Sequence, residues 1–307
     1  MPFPVIVVPD DAAESAEWMG TKQKFWYVDP TLGRSLFKLA RPGSGEDWSE
    51  RVACEIADLL GIPHARYELA LWAGSRGTVT PSLLGESETL IHGNELLATG
   101  VSEYPALTAE ARFRNSQHTL EAVLSTLRSN HAGLPVGYVA PAGINSAEDL
   151  FAGYLMFDAL IGNTDRHHEN WAVIQVEAAD GTAVCRLSPT YDHASSLGRN
   201  ETEANILRRL TTRDAGYSVS AYATRAASAL YLSAADRKPL STFDAFVQAR
   251  TMMHEASDAW LERLGSVDVE TLVHVVDEVP ADRLSSDAAK FVQEIIRFNY
   301  TRLTALR

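Results

Sequence analysis

Only two cysteines occur in 307 residues, Cys54 and Cys185, and they lie far apart. That scarcity excludes a disulfide-stapled scaffold, argues against a zinc module and fits a reducing cytoplasm. Long apolar runs are missing as well. No stretch reaches the ~18–20 residues of a membrane-spanning helix. The opening MPFPVIVVP is short and lacks a basic segment, which makes it a poor signal peptide. Positive charge is in deficit, with 27 Lys and Arg against 40 Asp and Glu and a net charge of −13. So acidic a chain is not expected to bind nucleic acid directly through the phosphate backbone, although a local basic site is compatible with it. Internal repeats and long low-complexity tracts are absent.

What is present is enough apolar sequence, 46% of the residues, for a sizeable core and for two lobes. FWYVDPTLGRSLFKLA (25–40) reads as a β-hairpin around a Pro/Gly turn. Residues 47–60 place Val52, Ile56, Leu59 and Leu60 at helical spacing, and Gly61 stops the helix. HARYELALW and GTVTPSLLG read as a second strand pair, and residues 90–116 as loop-rich. Residues 116–129 read as a helix, and 142–150 as a loop entering a helix through Leu160. The last third reads as helices over 243–263, 268–277 and 284–306. The chain is therefore predicted to be α+β, with a small mixed β/α N-lobe (1–95) and a larger, mainly α-helical C-lobe (96–307).

The densest chemistry is in DALIGNTDRHHENWAVI (158–174), where polar residues interrupt two apolar runs. Asp165 and Asn170 stand five residues apart, before a short strand, and Asp192 follows a second strand over roughly 183–187. Phosphoryl transfer needs such a set. One carboxylate orients the attacking hydroxyl, while an amide oxygen and a second carboxylate hold Mg²⁺, a hard cation that prefers oxygen. Protein-kinase catalytic loops use an Asp and an Asn at this spacing. The same residues also suit turns and helix caps. His167 and His168 do not form a zinc pair, because neighbouring side chains diverge; His167 is read as bracing the loop. Lys38, inside an apolar strand, projects opposite Phe37 and Leu39, toward solvent or a cleft. Gly20, Lys22 and Lys24 precede a strand, where backbone N–H groups beside a glycine can approach phosphate. Glu50 and Glu55 are candidate carboxylates on the first helix, and Glu50 also completes a capping-box pattern from Asp47.

GNTDRHHENWAVI followed by RLSPTYDHASSLG resembles the HipA-like serine/threonine kinases, and the resemblance runs from about Gly20 to Leu197. It implies a two-lobed protein-kinase-like fold that uses ATP and Mg²⁺. Asp165 resembles the catalytic Asp, with His167 beside it. Asn170 and Asp192 resemble the Mg²⁺ ligands. Lys38 resembles the ATP-binding lysine and Glu50 its helix partner. GTKQK (Gly20, Thr21, Lys22, Gln23, Lys24) resembles the phosphate loop, although Lys22 stands where a Gln is usual. RGTVTPSLL (76–84) resembles the strand leading to the adenine hinge.

The resemblance further implies autophosphorylation near the loop, at Thr21 or Ser15. It implies a protein substrate, such as a translation factor or tRNA synthetase, and a toxin–antitoxin role with an antitoxin partner protein. Asp-Arg-His-x-x-Asn is also the catalytic-loop text of phosphatidylinositol kinases, so a lipid or small-molecule acceptor is an alternative. A nucleotide-binding pseudokinase is another. A metal-dependent hydrolase built on Asp165, His167, Asp192 and His193 is a third.

Overall fold

The computed structural model describes residues 1–12, 23–105, 114–177 and 181–307. The loop residues Gly20, Thr21 and Lys22, and Ser15, lie outside them.

The N-terminal part is a five-stranded sheet in the order β1-β4-β5-β3-β2. Its strands are β1 (Val5–Val8), β2 (Lys24–Asp29), β3 (Gly33–Leu39), β4 (Glu68–Trp72) and β5 (Ser75–Pro81). The β2–β3 and β4–β5 hairpins are those expected from the sequence. β1 was not expected; VIVV pairs in parallel with β4. Alternation on β3 buries Phe37 among Phe25, Val79 and Ala70 and turns Lys38 to the opposite face. Lys24 and Thr78 are the cross-strand partners of Lys38, so all three share that face.

Helix α1 (Glu46–Leu60) buries Val52, Ile56 and Leu60 in the same core as the C-terminal helices. Gly61 ends it in the left-handed conformation (φ 66°), where a side chain would be strained. The N-cap is Gly45 without a side-chain cap bond, so Glu50 lies inside the helix and the capping-box reading does not apply.

The C-terminal part surrounds α4 (Ala147–Ile161), which is buried along nearly its whole length, the pattern of a core helix. Ser146 and Asp149 form its capping box. Gly153 lets the Trp260 ring lie against the helix, since a Cβ there would come within 2.3 Å of it. Around α4 stand α2 (Gly93–Gly100), α3 (Leu120–Ser129), α5 (Glu203–Thr211), α6 (Val219–Thr224), α7 (Thr242–Met252), α8 (His254–Gly265), α9 (Val269–His274) and α10 (Ser286–Thr304). The helix expected over 243–263 is two helices, broken at Met253. Residues 90–116, expected to be loop-rich, include the end of strand β6 (Glu88–His92) and all of α2.

β6 joins β7 (Ala172–Glu177) and β8 (Ala183–Leu187) in a second, antiparallel sheet, so residues 88–92 hydrogen-bond into the helical lobe. A bridge between His64 and Thr190 and a buried Asp47–Arg283 ion pair at 2.6 Å fasten the two lobes. Among the described residues no helix is long and apolar enough to cross a membrane.

Candidate active site

The β7–β8 register decides where the polar segments meet. Val173 pairs with Leu187, and Ser188 N–H continues the ladder to the Ala172 carbonyl at 2.9 Å. The loop entering β7 (163–171) and the loop leaving β8 (188–195) therefore emerge from the same end of the sheet. Thr164 N–H donates to Ser195 O at 3.1 Å, and Ser195 Oγ donates to Asp165 Oδ2 at 3.3 Å. Asp165, Asn170 and Asp192 are thus carried by two loops in contact.

Within the first loop, Asn170 Nδ2 donates to the Asp165 carbonyl at 2.7 Å. That bond fixes the amide orientation and leaves Oδ1 as the acceptor atom. The Asp165 side chain keeps 25% exposure, and its Oδ1 lies 3.6 Å from His167 Nε2. His167 Nδ1 accepts from Glu169 N–H at 3.1 Å, which supports the bracing role expected for this residue. The loop is pinned from beneath by Arg166, 1% exposed, which makes a two-point pair with Asp158 of α4 at 2.7 Å per contact. The third arm of the guanidinium donates to Asn170 O at 2.6 Å. Asn163 Nδ2 also donates to Asp158, at 2.8 Å.

In the second loop, Asp192 adopts φ 60°, a left-handed conformation that Asp tolerates better than most residues. Its N–H donates to the Tyr67 hydroxyl at 3.2 Å. Its carboxylate, 35% exposed, reaches Lys38 Nζ at 3.7 Å. Lys38 lies over the Tyr67 ring, 5.6 Å from its centre. Burial disfavours the ammonium charge, yet Asp192, then Tyr67 and Glu50, more than offset this and hold the amine above its ordinary value. Glu50 is buried, and its Oε1 accepts the His193 N–H at 2.6 Å. It anchors the Asp192 loop while adding negative charge near Lys38. His193 turns away from Asp165: its ring faces Thr190 Oγ1 (2.8 Å), Glu50 and Phe157. Burial pushes its pKa down to about 3. It is therefore a packed, neutral histidine and does not complete a hydrolase site.

Sequence reading missed four supports. Arg166 stood inside the quoted motif without a role. Tyr67 carried no signal. Ser195 and Arg199 link Asp165 to α1, since Arg199 donates to Ser195 Oγ at 2.9 Å and to Glu46 at 2.7 Å. A cavity of about 340 Å³ opens beside Thr164 and Ser195; Arg199, Arg209 and Arg225 line it and no carboxylate does. A second, of about 450 Å³, lies near the start of α1 and touches none of the expected site residues.

No protein-family model matches the sequence, and no curated protein sequence matches it. Solved structures do match in fold. The crystal structure of a Helicobacter pylori proinflammatory kinase, CtkA, aligns over 99% of this chain and 100% of its own, with a TM-score of 0.70 at 17% identity. HipA of Shewanella oneidensis MR-1, solved in complex with HipB and operator DNA, aligns over 94% of this chain and 64% of its own, with a TM-score of 0.54 at 13% identity. The chain shares with these two structures its α+β fold, a β-sheet N-lobe and a helical C-lobe, which is the fold class its motifs implied.

Proposed function

We propose that this protein is an ATP- and Mg²⁺-dependent phosphotransferase, most specifically a HipA-like serine/threonine protein kinase. The observation that carries this reading is the meeting of Lys38 with Asp192 at 3.7 Å, on a loop whose Ser195 also holds Asp165. One sheet lysine and two loop carboxylates are thereby linked through a single loop, a set of groups that transfer of a phosphoryl group uses.

In this reading Asp165 accepts the proton of the acceptor hydroxyl and orients it. Lys38 neutralises phosphate charge, with Lys24 on the same sheet face. Glu50 and Tyr67 hold the Asp192 loop in place. The Asn170 amide oxygen and the Asp192 carboxylate would hold Mg²⁺, and their hard oxygen donors suit that ion. Bound Mg-ATP supplies the transferable phosphoryl group with its charge partly neutralised. Most of the acceleration then comes from positioning and electrostatics. The arginine-lined cavity beside Thr164 is the natural approach for the acceptor. An antitoxin-like partner fits by analogy with the HipA–HipB complex. Phosphorylation of Thr21 or Ser15 would act next to the phosphate loop.

The test is transfer of radiolabelled γ-phosphate with Mg²⁺, using lysate protein and lipid vesicles as separate acceptors. Label on protein, lost in Asp165→Asn and Asp192→Asn, is expected, with mass spectrometry locating any label at Thr21 or Ser15. Label on lipid would replace the protein acceptor. Nucleotide binding by calorimetry without transfer, in unphosphorylated protein, would make the chain a pseudokinase. Transfer that persists in Asp192→Asn would remove the metal-ligand assignment.

A further inference from the structure

Behind the cleft, Cys54, Asp58 and His64 converge at the C-terminal end of α1. Cys54 and Asp58 are one helical turn apart and share a face. Gly61 turns the chain back and returns His64 to them. Their ligand atoms, a thiol sulfur, a carboxylate oxygen and an imidazole nitrogen, all lie within 4.8 Å of one another. His64 Nε2 is 3.7 Å from Asp58 Oδ2.

The histidine tautomer is decided by its other nitrogen. His64 Nδ1 is 2.8 Å from the Ile62 carbonyl, which can only accept. Nδ1 therefore carries a hydrogen, and Nε2 is the ring nitrogen directed at Asp58. A backbone carbonyl holding one ring nitrogen while the other faces a ligand cluster is the usual arrangement of a metal-binding histidine.

We infer that Cys54, Asp58 and His64 form a three-ligand site for a divalent transition metal, Zn²⁺ being the ion whose tetrahedral preference suits mixed sulfur, nitrogen and oxygen with water as fourth ligand. On binding, the Cys54 S–H bond breaks, a sulfur–metal bond forms and the proton passes to solvent. Asp58 and His64 each share an electron pair with the ion, and no oxidation state changes. The exposed Asp58 side gives the ion its path in. Tyr67 connects the site to the cleft: its N–H donates to Cys54 Sγ at 3.4 Å and its hydroxyl accepts from Asp192 N–H at 3.2 Å. A bound metal would fasten the end of α1 to the 62–67 segment that backs the Asp192 loop. This inference does not rest on the kinase reading.

The experiment is titration of the full, chelator-stripped chain with Co²⁺ and then Zn²⁺, followed by absorbance and calorimetry. Tetrahedral Co²⁺ bands with a thiolate charge-transfer band are expected, displaced by Zn²⁺. Cys54→Ser should abolish the charge-transfer band, and Cys185→Ser should keep it. Asp58→Asn, at an exposed position that folding does not need, and His64→Gln should each weaken Zn²⁺ binding about tenfold or more. A Co²⁺ spectrum without the thiolate band, or unchanged Zn²⁺ affinity in all three ligand variants, would overturn the site. So would no metal uptake at all, which would leave a proton between His64 and Asp58 as the occupant.

Discussion

Arg166 and Asp158 form a two-point ion pair, Nε to Oδ2 and Nη2 to Oδ1, each 2.7 Å long and removed from solvent. It joins the 163–171 loop to the central helix. Removing one partner strands a buried charge, so Arg166→Met should lower unfolding free energy by about 3–5 kcal/mol in urea titration. The double variant Asp158→Leu/Arg166→Met should recover much of that stability. It should not recover turnover, because the brace on Asn170 O stays lost. Full activity in the double variant would show that the pair does not position the loop.

Lys38 meets the Asp192 carboxylate at 3.7 Å, and the Tyr67 hydroxyl accepts the Asp192 N–H at 3.2 Å. Lys38→Met should reduce phosphoryl transfer by roughly 10²–10³-fold, the scale of losing one charge-stabilising group. Tyr67→Phe removes the acceptor for Asp192 N–H and a hydrogen-bonding partner of Lys38 but leaves both charges, and should cost less. Steady-state kinetics at saturating Mg-ATP reads both, and equal losses would argue against separate roles.

If Asp165 handles the acceptor proton, Asp165→Asn should lose about 10²–10⁴-fold in kcat while nucleotide affinity stays near wild type. Ser195→Ala, which removes a hydrogen bond to Asp165 and the acceptor for Arg199 but no charge, should lose far less. Calorimetry with a non-hydrolysable nucleotide separates binding from chemistry. A large fall in affinity for Asp165→Asn would make it a binding group.

His118 is buried with its Nδ1 3.0 Å from the Ala229 carbonyl, and its Nε2 accepts from Trp171 Nε1 at 3.2 Å. Protonation would set two donors against each other, and burial pushes the pKa down to about 3. Between pH ~6.5 and about 3 the unfolded chain binds a proton that the folded chain refuses. Stability should therefore fall on acidification below ~6.5, by up to about 1.4 kcal/mol per pH unit for this histidine. His193 adds the same sign. Urea midpoints measured from neutral to acid pH should fall less steeply in His118→Gln; an unchanged slope would refute the assignment.

Gly93, where β6 turns into α2, lies under the Trp171 ring. A Cβ there would come within 2.1 Å of the ring and 2.6 Å of His168 O. Gly93→Ala should destabilise the fold by about 1–3 kcal/mol, as overpacking does. It should also reduce phosphoryl transfer, because the atoms displaced belong to the loop that carries Asp165 and Asn170. Thermal unfolding and turnover test this together.

How far the sequence could be read depended on the range of the interactions involved. Period-two alternation marked Lys38 as facing away from Phe37, and the 3.6-residue period with Gly61 marked α1 and its end. These are local backbone preferences, so a short window contains them. β1, β6 and the break at Met253 were not legible. β1 exists only because a distant strand, β4, lies beside it, and β6 because β7 does. The seat of α2 needs the Trp171 ring above Gly93.

At the candidate site, the spacing of Asp165, Asn170 and Asp192 suggested a chemistry but not the contacts. The sequence by itself determined the amphipathic elements, the net negative charge and the polar set Asp165, Asn170 and Asp192 from which phosphoryl transfer is proposed, because composition and periodicity act along the chain. The tertiary structure alone decided that β7 and β8 pair at Val173 and Leu187, that Glu50 grips the His193 backbone and that Arg199 reaches Ser195. Those contacts join residues brought together only when the core closes, and burial then makes each unpaired polar group too costly to leave unmet.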